Sequence, residues 1–293
     1  MIRLCRKMEK KQKMRRAAAA AAAAILIFMT AAPVISSAPS GQRTEPGAVR
    51  VVADGRPYVG RTELLSGATY VSLREFAEFS DVCRVSWSRS DSTASVETDS
   101  LTLRAKNGSP YIEANGRCIP CIFGVYIENG VTMVPLRAAA SAFGYKIEWR
   151  SREKTASLTR THLSSPRGEY YYDDGDLFWL SRIISAEARG ESFDGKLAVG
   201  TVIMNRVAAP SYPDTIYGVI FDMKDGVQFT PAAIGTVYDV PDADSVAAAK
   251  MILEGYRSSG EIMFFLNRRI AESFWITDNC RYVMTVGNHD FYA

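Results

Sequence analysis

The sequence predicts an α+β chain: a β-rich first half built from two copies of one unit, then a mainly helical second half. Three observations carry this. The first half repeats itself at a spacing of 61 to 63 residues. Hairpin dipeptides and period-two alternation fill those repeats. From Asp176 onward the apolar residues switch to helical spacing, with capping residues at the breaks.

The chain has 293 residues and is 47% hydrophobic, enough for one large or two medium cores. It opens with "MIRLCRKMEKKQKMRR", where eight Arg/Lys and one Glu give a net +7. Taking that +7 from the chain's +3 leaves −4 for the remainder, since residues 17–38 carry no charge. A mildly acidic body gives no reason to expect a nucleic-acid partner. An apolar run and small residues ending at Ser36-Ser37-Ala38 complete a secretory signal peptide over 1–38. A retained membrane anchor is the rival reading, and only then would the membrane be a partner. Pro33 and the small-residue exit favour cleavage. Either reading places the body outside the cytoplasm. Residues 39–49 form a leader.

Residues 50–160 hold the repeats. "TYVSLREFAEF" (69–79) matches "TMVPLRAAASAF" (132–143), "RVSWSRSDSTASV" (84–96) matches "KIEWRSREKTASL" (146–158), and "ADGR" (53–56) matches "ANGR" (114–117). Asp-Gly and Asn-Gly are hairpin turns. Each unit reads as a hairpin, a short strand, a short helix and two strands around a polar turn, and two units pack together because one alone buries too little. Trp87 and Trp149 alternate with Val85 and Ile147, so both read as core residues rather than sugar-stacking platforms. Arg74 and Arg137 read as strand-end or helix-start groups. Cys83, Cys118, Cys121 and Cys280 follow the signal. "CIPC" (118–121) lacks a second CxxC or a thioredoxin-like βαβ setting, so a disulfide or small buried residues fit better than a redox role.

Residues 161–175 are polar, without period, and read as a linker. The helical domain runs from 176 to 293. Asp176 caps a helix that runs to about Arg189 and stops at Gly190. Further helices follow over about 194–207, from Asp214, and over about 242–257. The loop "DMKDGVQFTPAAIGTVYDVP" separates the last two, and towards the end "EIMFFLN" (261–267) and "YVMTVGNHDFYA" (282–293) read as extended and aromatic.

One residue breaks the helical pattern. Leu180, Ile183, Ile184 and Glu187 share a face, which puts a carboxylate where apolar groups belong. Burial raises a carboxyl pKa, and the negative end of the helix dipole acts in the same direction. An acid protonated near neutral pH suits general-acid cleavage of a glycosidic bond. Alternatively Arg182, Arg189 or Arg206 neutralises Glu187 in a structural ion pair. Glu191, one turn further and past Gly190, reads as a solvated or loop-capping residue. A zinc site would need two or three spaced histidines, and the chain has His162 and His289 alone. No G-x-S-x-G nucleophile elbow is present.

The stretches "SAEARGESFDGKLAVGTVIMNRV", "VQFTP", "MFFLN" and "TVGNHDFY" resemble the SleB-type (spore-cortex-lytic) cell-wall hydrolase family over about 176–293. Residues 50–160, with "VPLR" and the later tryptophan, resemble the N-terminal module of copper amine oxidases, an accessory module on exported proteins. The first resemblance implies a compact lysozyme-like helical domain, needing no cofactor, that cleaves peptidoglycan between N-acetylmuramic acid and N-acetylglucosamine. It implies Glu187 as the catalytic acid of a lytic transglycosylase. One carboxylate then serves both steps, whereas an inverting hydrolase needs a second at roughly 6.5–9.5 Å. Asp194 and Asp222 are candidates that no spacing selects. By the same resemblance Gln228, Phe229, Asn267 and His289 bind substrate. Family members often carry Asn-Pro where this chain has Asn267-Arg268. An amidase, or a wall-binding protein without activity, are the alternatives. Spore cortex and vegetative wall are both substrates the resemblance allows.

Overall fold

The structure, a computed structural model, describes residues 43–44, 49–162, 165–224, 226–271 and 274–293. The predicted signal peptide and most of the leader lie outside the described residues. Two compact units result. One holds the residues up to Leu177 with Ala249–Tyr256, and the other holds Phe178–Ala248 with Arg257–Ala293.

In the first unit β1 (Arg43–Thr44) precedes the first repeat, whose elements are β2 (Arg50–Ala53), β3 (Arg56–Pro57), β4 (Thr62–Leu65), β5 (Ala68–Ser72), α1 (Leu73–Ser80), β6 (Arg84–Ser88) and β7 (Thr93–Glu97). After β8 (Thr102–Lys106) the second repeat supplies β9 (Tyr111–Ala114), β10 (Arg117–Pro120), β11 (Tyr126–Glu128), β12 (Val131–Pro135), α2 (Leu136–Ala142), β13 (Tyr145–Arg150) and β14 (Thr155–Arg160). Asp54-Gly55 and Asn115-Gly116 take positive φ at both residues, as the tight hairpin turns they were read as require. The single short strand expected before each helix is half of a second hairpin, turning at Ser66-Gly67 and Asn129-Gly130. Its outer strands, "TELL" and "YIE", are short, half-buried along most of their length and carry no apolar–polar alternation.

The repeats interlock. β5 and β12 pair antiparallel at the centre of one sheet, ordered β1-β4-β5-β12-β11. The first strand of the first repeat, β2, pairs parallel with the last of the second, β14, in the order β13-β14-β2-β3. The third sheet runs β10-β9-β8-β7-β6. One core takes Val51, Phe76 and Val96 from the first copy and Ile112, Phe143 and Leu158 from the second, so neither closes alone.

Two expectations change, and one open alternative is decided. Trp87 and Trp149 are 43% and 52% exposed rather than core residues. Both stand opposite small buried residues, Ala94 and Ala156, but on edge strands, so sheet on one side alone covers each ring. Cys118 and Cys121 are buried and form no disulfide, so of the two readings offered for them the small buried residue holds. The segment read as a linker contains α3 (Gly168–Tyr171) and packs: the Tyr172 hydroxyl accepts from Cys118 N (3.2 Å) and donates to Glu254 (2.8 Å). Arg74 and Arg137 sit exposed at the second position of their helices.

The second unit is built on most of α4 (Asp174–Ala188), α5 (Phe193–Ala208), α6 (Ile216–Ile220), α7 (Thr230–Ile234), the first residues of α8 (Ala243–Leu253) and α9 (Trp275–Asn279), with a sheet ordered β15 (Phe264–Leu266), β17 (His289–Tyr292), β16 (Tyr282–Val286). Asp173, not Asp176, caps α4, its carboxylate accepting from Asp176 N at 3.0 Å. Ser192 caps α5 and Thr215 caps α6. The long loop contains α7, and α9 lies between the two stretches read as extended, which hold β15, β16 and β17. Among the described residues no helix is long and apolar enough to cross a membrane.

Candidate active site

Helix α4 buries Leu180, Ser181, Ile183, Ile184, Ser185 and Ala188. Glu187 is half-buried, at the margin where that face meets the surface. Among the described residues its carboxyl has no hydrogen-bond or ion-pair partner within contact distance. Burial pushes its pKa up to about 7, against the opposing pull of the Arg206 charge. Of the three arginines considered, Arg206 is therefore the one that matters. Arg189 donates to Ser185 Oγ and to Val240 O, and Arg182 lies 3.7 Å over the Phe178 ring.

Arg206, in the last turn of α5, is buried. Its Nε donates to Met263 O (2.8 Å) and its Nη1 to Gln228 Oε1 (3.4 Å). The Tyr212, Phe229 and Phe264 rings surround it at 5.2–5.3 Å. Removal from water lowers its pKa, and ring faces and carbonyls offset part of that cost. Gln228 thus positions the cation beside Glu187. Phe229 offers no face to a sugar: it is 3% exposed and packs on Arg206 and Phe265. Asn267 is a turn residue, accepting from Arg269 N at 3.0 Å. Asp222 faces the same guanidinium, and no contact brings Asp194 to Glu187.

The C-terminal end of α4 differs from expectation. The Lys196 ammonium, buried on α5, donates to Ala188 O (2.9 Å), Arg189 O (3.1 Å) and Asp242 Oδ2 (3.3 Å). A cation there offsets the helix dipole, so desolvation raises the Glu187 pKa. Asp242 also accepts from Ser185 Oγ and from Ser245 N and Oγ. Burial opposes its ionisation, but Ser245 and Lys196 bring its pKa down to about 2, from 3.8. This contribution is whole above the unfolded value and fades as pH falls towards 2; it is worth about 2 kcal/mol. The stability gap between wild type and Asp242→Asn, measured by denaturant unfolding, is expected to narrow by about 1.5 kcal/mol between about pH 5 and pH 2.5.

Glu191 is not solvated: its side chain is 9% exposed. It accepts from Asn288 N (3.1 Å) and Asn288 Nδ2 (2.9 Å), pinning the β16–β17 turn. Burial raises its pKa, but the Asn288 bonds, His289 and Lys196 outweigh that and leave it below the usual carboxylate value. His289 is buried against Phe265, its Nδ1 lies 3.7 Å from Glu191, and burial pushes its pKa below the usual histidine value against the opposing pull of Glu191 and Asp290. A Cβ at Gly287 (φ 59°) would fall 2.1 Å from Glu191 Oε2. Gly287→Ala is expected to cost about 1–3 kcal/mol, seen as a lowered Tm, with part recovered when Glu191→Ala removes the clash.

Two carboxylates four residues apart on neighbouring elements thus differ in chemistry. Glu191 is an ionised clamp, and Glu187 is an unpartnered acid. Residues 190–292 match the family described as Cell Wall Hydrolase. The C-terminal region is a cell wall hydrolase domain. The match to this hydrolase family begins three residues past Glu187. Residues 49–158 match the Copper amine oxidase N-terminal domain. The hydrolase region is similar to spore cortex-lytic enzymes. That of Halalkalibacterium halodurans is 35% identical over 120 residues, 41% of this chain and 35% of the relative. That of Bacillus subtilis is 31% identical over 120 residues, 41% of this chain and 38% of the relative. The match thus spans well under half of these curated relatives. Among solved structures, the catalytic domain of the germination-specific lytic transglycosylase SleB from Bacillus anthracis is 31% identical. It covers 44% of this chain and 99% of that one, with a TM-score of 0.39. Among the described residues no cluster of His, Cys, Asp or Glu suits a metal.

Proposed function

We propose that this protein is an exported enzyme that cleaves peptidoglycan strands between N-acetylmuramic acid and N-acetylglucosamine by lytic transglycosylation, with Glu187 as the catalytic group. One observation carries the reading: Glu187 is a desolvated carboxyl without a partner, holding its proton up to about pH 7. The curated relatives are named as spore cortex-lytic enzymes, so cortex peptidoglycan is the first substrate to try.

Glu187 gives its proton to the bridging oxygen as the muramoyl C1–O bond breaks, releasing the N-acetylglucosamine hydroxyl. The carboxylate then takes the proton of the muramoyl C6 hydroxyl as that oxygen bonds to C1. A 1,6-anhydro end forms, no water is consumed, and the acid is regenerated. Arg206, a little removed, stabilises the transient carboxylate, and Gln228 holds Arg206 in place.

Mass spectrometry of wall or cortex digested with the full chain tests this. Anhydromuramoyl ends are expected. New reducing ends would indicate hydrolysis, free stem peptides an amidase, and binding without products a wall-binding protein; each contradicts the proposal.

A further inference from the structure

The second unit carries a group of aromatic rings that the chemistry at Glu187 does not use. Trp179 lies eight residues before Glu187 on α4, about 12 Å along the helix axis. Around it stand Phe178 (4.9 Å), Phe221 (5.1 Å), Tyr217 (5.3 Å) and Tyr238 (5.7 Å), all edge-on. Tyr217 and Phe221 also contact each other at 4.6 Å. Arg182 covers Phe178, but Tyr217 and Tyr238 are 54% and 60% exposed. An ordinary core would bury such rings, and a contiguous open apolar patch marks an interaction surface.

The patch is joined to the candidate site on both sides. Asp222, next to Phe221, faces Arg206, which faces Glu187. Further along the loop, Gln228 accepts from Arg206. Just past Tyr238 the loop is fastened to the last turn of α4, where Val240 O accepts from Arg189 and Asp242 from Ser185. The loop that supports Arg206 thus also places Tyr238 on Trp179.

We propose that Tyr217 and Tyr238, seated on Trp179 and Phe221, form a remote subsite for pyranose rings of the glycan strand, along α4 from the bond being cleaved. The inference rests on the glycan-cleaving reading and adds a preference for long strands over short fragments. The separation suits the same polymer: a strand lying along α4 with its scissile bond at Glu187 passes the patch within a few sugar units. Tyrosine suits the ligand as well, its ring face taking the apolar C–H side of a sugar and its hydroxyl the polar rim. Asp214, Asp222 and Asp239 flank the rings in sequence and disfavour an anionic membrane surface as occupant.

The test is binding by the full-length Glu187→Gln chain, which does not consume its ligand, measured by calorimetry with peptide-free glycan strands and with a tetrasaccharide of the same repeat. Tyr217→Ala and Tyr238→Ala are each expected to weaken strand binding about tenfold, while Tyr→Phe at either position stays within about threefold. Tetrasaccharide affinity is expected to be equal in all the variants. Unchanged strand affinity in the alanine variants, equal loss for both ligands, or equal loss with phenylalanine overturns the subsite. A wild type that binds strands with tyrosine dependence but releases no glycan fragments leaves the subsite standing and removes the cleavage reading instead.

Discussion

Glu187→Gln is expected to reduce glycan cleavage by about a thousandfold, within the range that positioned general-acid catalysis contributes, while the fold is retained. Stability is expected to change in the opposite direction. The carboxyl titrates near 7 in the folded chain and near 4.5 when unfolded. The folded state therefore keeps a proton that the unfolded chain releases between those values, and wild-type stability declines as pH rises through that window. Glutamine escapes the penalty. The variant should match wild type below about pH 4.5 and exceed it by about 2–3 kcal/mol above pH 7. Cleavage by the wild type should decline as pH rises through about 7, because the acid form is lost. Parallel denaturation curves at the two pH values check the first statement, and a pH–rate profile checks the second. A variant no more stable at pH 8 than wild type would mean that Glu187 is not desolvated.

The second large effect belongs to the first unit. Arg117 and Glu254 form a buried bidentate pair, Nε–Oε1 at 2.8 Å and Nη2–Oε2 at 2.6 Å. Arg117 also donates to Ser165 Oγ and lies 3.7 Å over the Tyr171 ring, while Tyr172 donates to Glu254. Removing one partner leaves the other as an uncompensated buried charge. Glu254→Ala and Arg117→Ala are each expected to cost about 3–5 kcal/mol. Arg117→Met combined with Glu254→Leu should recover much of the loss, because it leaves no buried charge. Urea unfolding of the three chains decides it. Single-variant losses under about 1 kcal/mol would show that water reaches the pair.

Arg117 also shows where sequence reading stops. It matches Arg56 in the repeat alignment, and Arg56 is exposed. The difference comes from Glu254, 137 residues away. For Glu191 the loop-capping alternative holds over the solvated one, but the loop it caps is out of reach of local reading, since its partner Asn288 lies 97 residues on. Trp87 and Trp149 follow the core side of their strands, and sheet order alone reveals that those strands are edges. The repeats are legible because one stretch of sequence copies another 61 to 63 residues on, and most helix limits and the odd position of Glu187 because each depends on neighbours within one or two turns. Lys196 could have been found by the rule that found Glu187: it too is a charge inside a helix otherwise apolar on nearly every side. Asn267 and His289 carry family motifs, yet their contacts here are a turn and the packing under Phe265.

The central claim concerns the protonation of one carboxyl. Carbon-13 NMR of the Glu187 side chain, assigned by comparison with Glu187→Gln, measures it directly across the titration. A midpoint near 7 is the predicted result. A midpoint at or below the ordinary glutamate value near 4.5 would place a bare anion at the site and contradict the mechanism.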